Sequence, residues 1–81
     1  MTRATVDART GPVWREKGRA WFRELARTNP REAWEFGDAL VLGEGVRDFF
    51  GEEPPWGGRA DFRRHFLAGA DEARVLWEVM S

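Results

Sequence analysis

Apolar and polar residues follow two different rhythms along this chain. Between Gly11 and Thr28, Trp14, Trp21 and Leu25 fall on one line at about 100° per residue. Phe22 widens that stripe, and Gly18 lies beside it, where a glycine lets a second backbone come close. The opposite face carries Arg15, Arg19, Arg23 and Arg27 at steps of four. The spacing predicts a helix opened by Thr10-Gly11-Pro12, since proline is tolerated at a first helical position. Asn29-Pro30 should end it, because the residue before a proline avoids helical geometry.

The same dipeptide can begin a second helix, with Asn29 as its cap, Pro30 as its first residue and Glu32 reaching back. Across 30–42, Ala33, Trp34, Gly37, Leu40 and Val41 recur at helical spacing, with Glu32, Glu35 and Asp38 on the other face. A short buried strand at 39–42 competes with the end of that helix, because periodicity does not separate the two for so short an apolar run. Val46, Phe49 and Phe50 are spaced as one further turn of helix. Two prolines and three glycines in Gly51–Gly58 mark a loop. From Asp61 a third helical pattern puts Phe62, His65, Phe66 and Gly69 on an apolar side and Arg63 and Arg64 on a polar one.

Strand rhythm appears at both ends. Thr2, Ala4, Val6 and Ala8 alternate with Arg3, Thr5, Asp7 and Arg9, which predicts a half-buried edge strand. After a turn at Gly69-Ala70-Asp71, Val75, Trp77 and Val79 alternate as in a strand, although Ala73, Leu76, Trp77 and Met80 also fit a helix. The expected fold is therefore α+β: one domain over residues 1–81, with two to four helices on a short two- or three-stranded antiparallel sheet. An all-α helical bundle is the alternative.

Composition narrows the function more than the fold. Eighty-one residues make one domain with a modest stability margin, helped by five Trp and six Phe. There is no cysteine, so disulfide and thiolate chemistry are absent. No apolar run approaches the roughly 18 residues that cross a membrane, and the cytoplasm is the expected compartment. Nucleophile and base chemistry is thinly supplied. His65 is the only imidazole, flanked by Phe62 and Phe66, and no nucleophile elbow, phosphate loop or zinc-binding helix motif occurs. The expectation is a non-enzymatic protein with no cofactor and no metal.

The formal net charge of −1 conceals an uneven distribution. Residues 1–31 hold eight basic and three acidic side chains, residues 32–53 hold one basic and seven acidic, and residues 54–81 hold four of each. Either the two halves neutralise each other across the fold, or one of them is an interaction surface. Helices meeting at Thr28-Asn29 are similar to a helix-turn-helix, but the second carries Glu32, Glu35 and Asp38, which phosphates would repel. Nucleic acid is thus disfavoured as a partner. Arg15, Arg19, Arg23 and Arg27, with Arg63 and Arg64, remain the alternative phosphate-binding set.

Protein binding fits better. Glu35, Asp38, Glu44, Asp48, Glu52 and Glu53 supply the charge, and Trp56 in the proline-rich loop supplies an aromatic anchor. Trp56 can equally fold back on Pro54 and Pro55 to cap the core, and exposed tryptophans can equally mark a homodimer surface.

A small, cysteine-free chain with the acidic run Glu32, Glu35, Asp38, Glu44, Asp48, Glu52 and Glu53 resembles, in size and charge, the anti-CRISPR proteins of phages and mobile elements. That resemblance implies stoichiometric inhibition of a CRISPR effector by covering its basic DNA-binding surface. A small antitoxin or adaptor subunit is the alternative within protein binding, and a nucleic-acid-binding regulator using the arginine ridge is the alternative outside it.

Overall fold

The computed structural model describes residues 2–42, 49–50, 54–57 and 59–80, with residues 2–10 and 42 described by their backbone alone. Helix α1 spans Thr2–Thr28, α2 spans Pro30–Leu42 and α3 spans Ala60–Met80. There is no strand among the described residues. The expected α+β fold is corrected to an all-helical one.

Both predicted strands are helical. The alternating stretch Thr2–Arg9 continues directly into α1, so Pro12 lies inside the helix rather than at its start. That proline lacks the N–H of one intrahelical bond, which the two flanking helical segments withstand. Gly69-Ala70-Asp71 is not a turn either, because α3 runs through it to Met80. In that helix Trp77 turns inward while Val75 and Val79 are 46% and 78% exposed. Their alternation with Trp77 reported no buried sheet face. Residues 39–42 end α2 as helix.

The boundary between α1 and α2 forms at Asn29-Pro30 as the sequence predicts, except that Glu32 does not reach back to the Asn29 N–H. The Asn29 N–H donates to the Leu25 carbonyl at 2.7 Å, closing α1. The Asn29 side-chain oxygen then accepts from the Glu32 N–H at 3.2 Å, capping α2. Asn29-Pro30 thus reverses the chain within two residues.

Helices α1 and α3 run parallel, as the order of their contacts shows. Gly11 meets His65, Gly18 meets Phe66 and Ala70, and Phe22 meets Trp77. At the tightest point a β-carbon on Gly18 would sit 2.0 Å from the Phe66 carbonyl oxygen, and one on Gly69 would sit 1.9 Å from that of Arg15. Two reciprocal glycines therefore bring the backbones together, and no larger residue fits at either site. Helix α2 returns antiparallel to both, with Phe36 against Phe22 and Trp34 against Trp77.

The core lies where the three helices converge. Phe22, Phe36 and Phe66 are its largest fully buried side chains. Phe36 bridges α2 to α1, at 4.9 Å from Trp21 and 5.8 Å from Phe22, and it was not singled out from the sequence. Trp21, half-buried, faces Phe36, Phe50 and Phe66 together. The centre of the α1 stripe is accordingly Phe22, with Trp21 and Leu25 flanking it.

Candidate functional site

Sequence reasoning nominated an acidic set and a basic set, and the helices treat them differently. The arginines of α1 form a ridge along one face as expected, but each has a carboxylate beside it. Arg15 lies 3.3 Å from Glu72, and Arg19 donates to Glu72 at 2.8 Å and to Glu16 at 2.6 and 2.9 Å. Arg23 reaches Glu16 at 3.9 Å, and Arg27 pairs with Glu24. Counter-charges for the ridge thus come from α1 itself and from Glu72 of α3. No ion pair among the described residues joins it to the acidic residues of α2.

The titration behaviour follows from these contacts. Hydrogen bonding and charge attraction from Arg19 hold the Glu16 carboxyl below its ordinary value. Arg19 is raised in turn, chiefly by hydrogen bonds to Glu16 and Glu72, and Arg27 by its bond to Glu24. Burial lowers Arg74, but hydrogen bonds to Asp71 and Glu78 outweigh that and leave it raised. These are pairs along helix faces.

Arg63 and Arg64 are exposed in the first turns of α3. His65, the next residue, packs on Gly11, so they stand near that level of α1 and apart from the ridge over Arg19–Arg27. The basic candidates do not make one surface. Arg59, just before α3, lies 4.7 Å over the Phe62 ring, which itself stacks on Trp14 at 4.8 Å.

Glu35 and Asp38 are exposed on α2, and neither has an ion pair with another described residue. Trp34, next to Glu35 in sequence and one turn before Asp38, is 45% exposed, its ring 4.7 Å from Trp77. Glu44, Asp48, Glu52 and Glu53 lie outside the described residues. Trp56 is 7% exposed, packed on Phe50 at 4.7 Å and on Phe66 at 5.3 Å. Its turn is closed by the Gly57 N–H donating to the Pro54 carbonyl at 2.9 Å, with Gly57 at a φ of 61° that favours glycine. Trp56 therefore seals the core.

His65 is half-buried, and its Nε2 is enclosed with no hydrogen-bond partner. No group of three or more His, Asp or Glu among the described residues could hold a metal ion. Among the same residues no helix is long and apolar enough to cross a membrane.

One feature escaped the sequence reading. Toward the C-terminal ends of α1 and α3 lies an open groove of about 240 Å³ lined by Phe22, Arg23, Ala26, Arg27, Ala73 and Trp77. Beside it Leu76, Val79 and Met80 are 60%, 78% and 85% exposed. Leu76 and Met80 follow the helical spacing of 74–80, which the structure adopts in place of the expected strand. Compared with known proteins, the chain matches no family model, no curated protein and no solved structure.

Proposed function

We propose that this protein is a non-enzymatic, protein-binding inhibitor that engages a basic surface of its partner through the acidic face of α2. The supporting observation is electrostatic. Every arginine of the α1 ridge has a carboxylate beside it, whereas Glu35 and Asp38 face solvent without an ion pair among the described residues. Unneutralised charge steers encounter with an oppositely charged surface. Trp34, adjoining both acids, adds an aromatic contact of the kind that concentrates interface energy.

The resemblance to anti-CRISPR proteins gives this reading its partner: a cytoplasmic CRISPR effector whose DNA-binding surface the acidic face would cover. An antitoxin or adaptor would use the same face on a different protein. The ridge already carries a carboxylate beside each arginine, so phosphate binding and a regulator built on it are the less supported readings.

The test is capture from a CRISPR-bearing host, followed by a DNA-binding assay of the captured complex. The wild-type chain should retain an effector subunit and reduce its DNA binding. Glu35→Lys should weaken capture about tenfold or more and flatten its salt dependence. Capture of no effector subunit, or equal capture by the variant, would overturn the reading.

A further inference from the structure

The C-terminal end of the bundle carries an apolar face bounded by opposite charges. In its middle α3 exposes Val75, Leu76, Val79 and Met80, the largest run of exposed large apolar side chains among the described residues. Monomers seldom leave such a contiguous patch uncovered. On the α1 side the groove is edged by Arg23 and Arg27, whose side chains are 61% and 70% exposed. Their carboxylate contacts are exposed pairs of the kind that exchanges readily with other partners. On the α2 side carboxylates outnumber cations: Asp38, Asp71 and Glu78 against Arg31 and Arg74. Trp34 touches Trp77 and Gly37 abuts Arg74, so this flank of α2 faces α3. Asp38, one turn beyond Trp34, lies on the same flank. Glu78 and Asp71 add carboxylates from α3, bridged by Arg74, whose side chain is only 13% exposed.

We propose that this face pairs with the same face of a second copy of the chain, about a two-fold axis running along α3. That axis exchanges left for right, so the arginine edge of each copy lies over the carboxylate edge of the other, and the two apolar strips meet between them. A two-fold axis across α3 would instead set arginine against arginine, and like charges opposed at an interface are repelled. Few side chains make up the strip, which places the dimer in the weak, micromolar class. The pairing shares Trp34 and Asp38 with the inhibitor reading but not Glu35, which lies about 100° further round α2 from Trp34 and points away from this face.

Sedimentation equilibrium of the full chain, from low to high micromolar concentration, tests the pairing. The wild-type protein should shift from monomer to dimer as concentration rises, and added salt should weaken the dimer. Val79→Asp removes apolar surface from a site already 78% exposed, so it should leave the fold intact and the chain monomeric. Arg23→Glu with Arg27→Glu, and separately Asp38→Lys with Glu78→Lys, should each weaken self-association about tenfold or more. An equimolar mixture of those two variants should associate again, because every opposed pair is then of opposite sign. Glu35→Lys should dimerise like wild type, which separates failure here from failure of the inhibitor reading. A wild-type chain that stays monomeric, a dimer that Val79→Asp leaves intact, or variants that do not recombine on mixing would overturn the proposal.

Discussion

On α1, a β-carbon added to Gly18 would meet a backbone carbonyl oxygen of α3 at 2.0 Å, whereas one added to Gly37 of α2 would first meet the Cδ of Arg74 at 2.9 Å. Both glycines are buried in the middle of a helix, and both sacrifice about 1 kcal/mol of helix propensity relative to alanine. What they obtain differs. Gly18 and its reciprocal Gly69 set the distance between two main chains, which cannot yield locally. Gly37 makes room for a flexible side chain, which can swing aside. A glycine's worth in a helix thus depends on whether its neighbour is backbone or side chain.

The sharpest way to break that distinction is to add the missing methyl groups. Gly69→Ala or Gly18→Ala should each destabilise by about 3 kcal/mol, at the upper end for overpacking, because a whole helix must move. The double variant should cost clearly less than the two losses combined, since one separation of α1 from α3 relieves both clashes. Urea midpoints of the three variants decide this, and full additivity would mean that the sites do not share one contact.

A smaller effect, of opposite sign, is expected one turn earlier in α3. His65→Leu replaces a ring whose enclosed Nε2 has no partner, and should raise stability by about 1 kcal/mol. Thermal unfolding reads this, and a loss would show that the imidazole nitrogen is satisfied in solution.

Gly37→Ala should fall within about 1 kcal/mol of wild type, propensity gained offsetting the displacement of Arg74. A loss as large as that of Gly69→Ala would erase the contrast between the two kinds of site.

The smallest effect belongs to the exposed pairs beside the contact. Glu16 is held below its ordinary value of 4.5 by Arg19, so its contribution is complete above the unfolded-state value and disappears as pH falls through the lower folded-state value. Glu16→Gln should therefore lower stability slightly at neutral pH, where the contribution is complete, and leave it unchanged below the folded-state value, so that urea midpoints measured against pH show a flatter acid limb.

The two glycines also show why the sequence was legible in one place and misleading in another. Gly18 stands inside a strong helical stripe, so its small size reads as room for a backbone. Gly69 carries the same function, but Asp71 follows it and β-branched residues lie beyond, and that context reads as a turn leading to a strand. Propensity was overridden by tertiary contact, because α3 gains its backbone contact with α1 only if it continues unbroken. Asn29-Pro30 was legible because capping is local chemistry. The arginine ridge was legible as a face, but its neutralisation was not: Glu16 and Glu24 lie within reach on the same helix, while Glu72 becomes a partner only once α1 and α3 are parallel. The exposed strip at Leu76, Val79 and Met80 was hidden by reading 74–80 as a strand.

The parallel course of α1 and α3 has a consequence for synthesis. Arg19 and Glu72 stand 53 residues apart in the chain yet bond directly, and the glycine contact beside them is nearly as remote. Parallel neighbours cannot be joined by a short turn, so the hairpin of α1 and α2 must be made first. While the chain between Leu42 and Trp77 is translated, at about 5–20 residues per second, that hairpin has Phe22 without its α3 partner Trp77. For a few seconds each nascent chain therefore displays its future core, a window in which chaperones can act and which no equilibrium measurement on the finished protein would register.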